Sequence, residues 1–360
     1  LNTLTISLLI SFILTALLVR YEHFHSHLTG DYDYVSPQKF HNTNTSRVGG
    51  LSILLALLVS GLFRLYFEDI GGNEIILLIT ASLPAFILGL AEDITKRAGI
   101  RIRLLGTAFS ALLAGYIFNC WITHTSFHII DSIFLIPMFS ILFTVFAVCG
   151  LTNAYNIIDG FNGLASIVAV ISLIAISYVG FKVNDPIIFI LGMAMIGAIL
   201  GFFFWNYPKG YIFMGDGGAY LIGFWVAFLS VLLVGRNDSV SPIFALLVNA
   251  YPVVETLFSV WRRKFLHKRH PGMADNMHLH SLIYRRVVRW DDVKNGGVVS
   301  TSLNSRTSPY LWILHTIAVI PASLLWGNSS LTLVFLVFYI FLYVLLYRRI
   351  VKFKVPSWIK

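Results

Sequence analysis

Long apolar runs, each closed by a short polar stretch, alternate along the whole chain. Read as helices, they predict spans at 3–19, 48–66, 75–91, 104–119, 133–150, 164–180, 187–204, 218–235, 241–260, 310–327 and 330–347. Runs of this length match a hydrocarbon layer about 30 Å thick. The pattern therefore predicts an all-α, polytopic integral membrane protein with about eleven transmembrane helices, forming a single transmembrane domain over 1–360. Gly71-Gly72-Asn73 and Asn184-Asp185-Pro186 punctuate it as turns. The longest polar stretch, 261–309, reads as one loop within that domain. No internal repeat is visible, which argues against transporter folds built from duplicated halves. The first run, Thr3–Val19, lacks a basic leading region and a small-residue cleavage site, so it reads as a retained span and not a signal peptide.

Composition agrees with the pattern and charge orients it. The 360 residues are 57% hydrophobic and only 12% charged, against about 25% charged in ordinary soluble domains. With the N-terminus outside, 23 of the 26 Lys and Arg residues fall on the inner side and only Arg64, Lys182 and Arg236 on the outer. That bias is the positive-inside signature, and it places the C-terminus and the 261–309 loop in the cytoplasm. The net charge of +9 then reflects topology and an affinity for anionic headgroups or phosphates, with no need for nucleic acid. Cys120 and Cys149 fall near opposite ends of neighbouring spans, too far apart for a disulfide.

Five polar clusters share the inner side: 36–50 (SPQKFHNTNTSRVGG), 92–103 (EDITKRAGIRIR), 153–163 (NAYNIIDGFNG), 205–218 (WNYPKGYIFMGDGG) and 261–290. Apolar runs and Lys and Arg counts set the topology, so this convergence of carboxylate, amide and histidine groups is a further sign of one site. Glu92, Asp93, Asp159 and Asp216 sit at span ends, where carboxylates beside hydrocarbon require partners. Hard oxygen donors with little sulfur favour Mg²⁺, with Mn²⁺ as a substitute, over zinc or copper. Lys96, Arg101, Arg103, Arg262, Arg263 and Arg269 supply positive charge suited to a diphosphate. Together these groups point to phosphoryl transfer involving a lipid phosphate. Each motif alone also has a plainer reading. Asp159-Gly160 makes a helix-ending turn, Asp216 an N-cap, and Glu92 with Asp93 a charge balance for Lys96 and Arg97. Asn153, Asn156 and Asp159, however, recur at intervals of three and share one broad helical face. His278 and His280, two apart, do not have the i, i+4 spacing of a helical zinc pair. Glu255 lies about six residues inside the end of its span and reads as paired with a polar group of a neighbouring helix.

KFHNTNTSRVGG, AEDITKRAGIRIRLLG, NAYNIIDGFNGLA, FMGDGGAYLIG and RRKFLHKRHPGMADNMHLHSL, in this order over about residues 36–350, resemble the polyprenyl-phosphate N-acetylhexosamine-1-phosphate transferases. The likeness is greater to the branch acting on UDP-N-acetylglucosamine than to the phospho-N-acetylmuramoyl-pentapeptide transferases, whose histidine loop carries adjacent histidines. The resemblance implies transfer of an N-acetylhexosamine-1-phosphate from a UDP-sugar to undecaprenyl phosphate, with release of UMP. That step begins cell-surface polysaccharides such as O-antigen. It further implies a bacterial inner-membrane location, a cytoplasmic active site, contact with membrane lipid, and a homodimer. By the same resemblance, Asp216 holds Mg²⁺ and Phe213 stacks on the uracil. Asn153, Asn156, Asp159 and Asn162 line the nucleotide and metal site, with Asp159 a second metal candidate. Asp93 and Lys96 handle the lipid phosphate and diphosphate, and Arg269, Asp275, His278 and His280 contact sugar and phosphates. Three positions depart from the pattern: Glu92 replaces the first of two aspartates, Gly217-Gly218-Ala219 replaces a hydroxyl-bearing stretch, and Ser281 stands where another histidine is usual. The competing readings are a secondary transporter, which needs acids at the bilayer midplane, and a phosphatidyl-type transferase with a cytidine-linked donor, which needs a denser run of acids on one helix. A covalent aspartyl intermediate stays open beside direct attack.

Overall fold

A computed structural model describes residues 2–23, 45–266, 275, 277–288 and 304–352. Arg269 and residues 36–44 of the first polar cluster lie outside them. Among the described residues there is no strand. The helices are α1 (Asn2–Arg20), α2 (Gly49–Phe67), α3 (Gly72–Thr95), α4 (Ile100–Ile117), α5 (His128–Phe134), α6 (Pro137–Ile158), α7 (Leu164–Lys182), α8 (Pro186–Asn206), α9 (Gly215–Arg236), α10 (Pro242–Leu247), α11 (Ala250–Trp261), α12 (Leu279–Ile283), α13 (Ser308–Leu324) and α14 (Ser329–Val351). Nine of these are long and apolar enough to cross a membrane: α1 to α4, α6 to α9 and α14. The protein is thus an all-α, multi-pass membrane protein.

The expected spans differ from the helices mainly at their ends. Backbone hydrogen bonding continues past the point where hydropathy falls, so α3 runs on to Thr95 and carries Glu92 and Asp93 in its last turns. In the same way α4 begins early enough to include Arg101 and Arg103, and α6 extends over Asn153 and Asn156. The expected helix 241–260 is in fact two, α10 and α11, broken at Val248-Asn249. A broken helix at membrane depth needs its backbone and side-chain polar groups satisfied. Asn249 helps satisfy them: its Nδ2 donates to Ser230 Oγ and to the Ala245 carbonyl, both at 3.0 Å, and its Oδ1 accepts the Tyr155 hydroxyl at 3.1 Å. The expected span 310–327 appears as the 17-residue α13.

Helix α9 is the axis of the bundle, with its apolar stretch wholly buried among α2, α3, α6, α7 and α8. Its small residues make that possible. A Cβ on Gly50 of α2 would come within 2.5 Å of the Gly218 backbone, and one on Gly89 of α3 within 2.8 Å of Asp216 O and the Gly217 backbone. Close backbone approach through small residues is the usual basis of helix association in lipid. It accounts for Gly217-Gly218 in place of a hydroxyl-bearing pair. On the periphery α1 turns Ser7, Ser11 and Thr15 inward, with Ser11 Oγ donating to the Ala198 carbonyl of α8 at 2.7 Å. At the end of the bundle remote from the polar clusters, Asp185 caps α8 through the Ile187 and Ile188 amides and pairs with Arg236 at 2.7 Å. Cys120 and Cys149 are both free thiols.

Candidate active site

Segments from the five polar clusters meet at one end of the bundle, around the N-terminus of α9. The chain reaches it through a turn in which Gly215 takes φ +75°, a conformation that a Cβ would strain. Backbone bonds fix this turn against the start of α2: Phe213 N donates to Ser46 O at 2.8 Å, Gly49 N to Phe213 O at 3.0 Å and Gly50 N to Met214 O at 2.9 Å. Asp216 follows in the first turn, where backbone N–H groups and the helix dipole favour negative charge.

Three helices supply the partners of Asp216. Arg103 of α4 forms a close ion pair with its Oδ2. Asn156 of α6 donates Nδ2–H to its Oδ1 at 3.0 Å. Asp93 of α3, buried, accepts the backbone N–H of Asp216 and of Gly217, both at 2.9 Å. One turn along α9, Tyr220 donates its hydroxyl to Asn153 Oδ1 at 3.2 Å and lies under the Arg103 guanidinium, 5.5 Å from ring centre to Cζ. Asn153 and Asn156 therefore act as a pair against Tyr220 and Asp216.

Asp159 ends α6 and is partly buried; among the described residues its carboxylate has no hydrogen-bond partner. Burial pushes its pKa up to about 7, partly offset by Arg47. Lys96 caps α3 in the left-handed region at φ 55°, exposed at the rim, with its backbone N–H on Glu92 O. Such a conformation is strained for a residue with a Cβ and persists where the surroundings impose it. Asn162 lies behind the site. Its N–H donates to Asn304 Oδ1 at 2.9 Å, its Nδ2 to Pro208 O at 3.1 Å, and its carbonyl accepts Ser308 Oγ at 2.7 Å. It ties the 159–163 loop to α13, while its Oδ1 is buried without a hydrogen bond.

The histidine loop closes one flank. His280 is buried edge-on to Phe161 and stacked on His278, with ring centres 5.4 and 5.1 Å apart respectively. A Cβ on Gly160 would sit 3.6 Å from His280 Nε2, so this ring borders the loop that follows Asp159. Burial, helped by His278, lowers the His280 pKa to about 3, and the imidazole is neutral at ordinary pH. His278 shares Glu255 through Nδ1 at 2.9 Å. Asp275 accepts Ser259 Oγ at 2.9 Å, the Met277 amide at 3.0 Å, and a close ion pair from Arg262. Burial would raise the Asp275 pKa, but His278, the Met277 amide and Arg262 together hold it below the ordinary value.

The structure thus brings Asp93, Asn153, Asn156, Asp159, Phe213 and Asp216 to one end, with Lys96 at its rim and His280 on its flank. Asp275 and His278 are engaged in the loop's own anchoring contacts, and Arg269 is outside the described residues. Arg47 and Tyr220 are additions. Arg47 borders the glycine pair of α2, and Tyr220 follows Asp216 by four residues on the same helical face. Among the described residues, no three His, Cys, Asp or Glu side chains are grouped to hold a metal ion. Magnesium commonly takes only one or two protein carboxylates and fills its other positions with water and phosphate. Asp216, with Asp159 close enough to act electrostatically on the neighbouring Asp93, fits that habit.

Residues 75–234 match the profile of glycosyl transferase family 4. The chain is 29% identical over 282 residues, 78% of its length and 81% of the relative's, to an undecaprenyl-phosphate alpha-N-acetylglucosaminyl 1-phosphate transferase of Thermotoga maritima. It is 26% identical over 255 residues (70% and 69% of the two chains) to a Bacillus subtilis protein named a probable undecaprenyl-phosphate N-acetylglucosaminyl 1-phosphate transferase. It is also 29% identical over 253 residues (67% and 78%) to a phospho-N-acetylmuramoyl-pentapeptide-transferase of Staphylococcus aureus.

Proposed function

We propose that the chain, whose residues 75–234 match glycosyl transferase family 4, moves an N-acetylhexosamine-1-phosphate from a UDP-sugar onto undecaprenyl phosphate, as the names of its relatives suggest. The observation that carries this reading is the meeting of Asp216, Asp159, Arg103 and Lys96 at one end of a membrane bundle, where carboxylates for a metal and cations for a diphosphate lie together. A phosphate oxygen of the lipid attacks the β-phosphorus of the donor, UMP departs, and the product is undecaprenyl-diphospho-sugar. A lipid phosphate is largely ionised near neutral pH, its second pKa being about 6 by analogy with phosphorylated side chains. It therefore needs little help from a base.

In this proposal Asp216 and Asp159 hold Mg²⁺. When bound, the ion neutralises the diphosphate and the charge gathering on departing UMP. Asn156 holds the Asp216 carboxylate in place from the side. Arg103, Arg47 and Lys96 share the phosphate charge, a contribution of the pre-organised electrostatic kind. Neutral His280 offers a hydrogen bond to sugar or phosphate without a protonation step, and Phe213 faces the uracil. The location is the inner membrane of a bacterium, with the site in the cytoplasm where nucleotide sugars are found. Homodimer assembly belongs to the same proposal. The phospho-N-acetylmuramoyl-pentapeptide donor is the second reading, favoured by the Staphylococcus aureus relative. The His-Leu-His-Ser loop disfavours it. Assaying UMP release with a panel of UDP-N-acetylhexosamines and UDP-N-acetylmuramoyl-pentapeptide decides between them.

A further inference from the structure

Asp93 has both carboxylate oxygens committed in the protein alone. Oδ1 accepts the Asp216 N–H and Oδ2 the Gly217 N–H, each at 2.9 Å. These amides belong to the first turn of α9, where no intrahelical carbonyl can receive them. Asp93 is 2% exposed, whereas the Asp216 side chain is 26% exposed. A Cβ on Gly215 would come within 2.6 Å of Asp93 Oδ2, so the turn itself covers that oxygen. Asp93 thus serves α9 as an N-terminal cap supplied from another helix.

We propose that Asp93 is a positioning residue: it acts through the backbone of residues 216 and 217, fixing the direction of the Asp216 carboxylate, and takes no proton from the substrate. Its negative charge also complements the positive end of α9. Glu255 uses the same device in the histidine loop, accepting the Leu279 N–H at 3.2 Å as well as His278 Nδ1. Asparagine keeps one of the two acceptor oxygens and sets its amide nitrogen, a donor, against the other N–H, so it replaces this cap only in part, while alanine replaces none of it. A general base has no such substitute.

The effect on turnover rests on the transferase reading above, so the experiment has a second readout independent of it. Full-length protein in lipid nanodiscs, wild type, Asp93→Asn and Asp93→Ala, is tested for Mn²⁺ binding by electron paramagnetic resonance without substrates, and for UMP release against pH. Positioning predicts that Asn keeps turnover within about tenfold of wild type while Ala loses about 100-fold, with Mn²⁺ affinity about 10-fold weaker in Ala, the scale of losing a residue that orients a metal ligand. The acid limb of the pH profile stays in Asn. Equal inactivity of Asn and Ala, a vanished acid limb in Asn, and wild-type Mn²⁺ affinity in both would overturn the proposal and make Asp93 a base. Should Ala not fold, the Asn profile and affinity decide alone. If the wild type releases no UMP with any donor, the transferase reading fails, and the Mn²⁺ affinities still judge the positioning role.

Discussion

Asn156 on α6 donates to Asp216 on α9 at 3.0 Å, and one turn deeper the two helices are joined again by Tyr220 and Asn153 at 3.2 Å. The i, i+3 spacing of the asparagines meets the i, i+4 spacing of Asp216 and Tyr220, which locks the direction of the carboxylate where the bundle ends. Asn156→Leu keeps the volume but removes the donor. Turnover should fall by about 10 to 100-fold, with the melting temperature lower by only a few degrees, about what a 1 kcal/mol change gives. Parallel activity and thermal-melt measurements check both parts.

The approach of α2 to α9 makes a sharper steric demand. A Cβ at position 50 would lie 2.5 Å from the Gly218 backbone, which cannot swing aside as a side chain can. Gly50→Ala should destabilise the protein by about 1–3 kcal/mol, the usual cost of overpacking, and reduce activity by disturbing the turn at 213–216. Gly150→Ala, on an exposed position inside α6, is the control, because nothing lies within 4 Å of its Cβ and alanine suits a helix interior. Its activity should match wild type and its melting temperature should equal or slightly exceed it.

Much of the bundle was legible in the sequence because membrane spans are written in hydropathy. The positions of Gly49–Phe67 or Pro186–Asn206 differ from the expected spans by only one or two residues. Hydropathy could not show that α3, α4 and α6 continue into their polar motifs, since helical hydrogen bonding continues through charged residues. Nor could it show the break at Asn249, which depends on partners from α6 and α9. At the site, the convergence of the clusters was readable from topology, whereas the pairings were not. That Arg103 reaches Asp216, or that Asp93 serves α9 through its backbone, depends on how three helices pack.

The pH dependence follows from Asp159, whose pKa burial raises to about 7 from an ordinary 3.8. Between those values the folded protein holds a proton that the unfolded chain releases. The stability from this group is thus present at lower pH and lost as pH rises toward 7. A divalent cation favours the ionised carboxylate and reverses the loss. Mg²⁺ should therefore raise the melting temperature more at pH 8 than at pH 6. Asp159→Asn should flatten both the metal-free pH dependence and the Mg²⁺ increment, as thermal melts across that range will report.

The buried carboxylate of Glu255 tests how the histidine loop is held. It accepts His278 Nδ1 at 2.9 Å, the Leu279 amide at 3.2 Å and the Tyr343 hydroxyl at 2.9 Å, joining α11, α12 and α14. Glu255→Ala leaves these donors unsatisfied in the interior. The expected loss is about 3–5 kcal/mol, as for breaking a buried pair from one side. Glu255→Gln, which keeps acceptor oxygen, should lose less; chemical denaturation in detergent ranks the two.

UMP release from the purified protein reports transfer of a sugar phosphate to a lipid phosphate. The reaction would contain undecaprenyl phosphate, Mg²⁺ and UDP-N-acetylglucosamine among other UDP-N-acetylhexosamines, with Asp216→Asn alongside. UMP release should require the lipid phosphate and Mg²⁺ and disappear in the variant. UMP released equally by Asp216→Asn, or no UMP from any donor in folded wild-type protein that also fails to bind them, would contradict it.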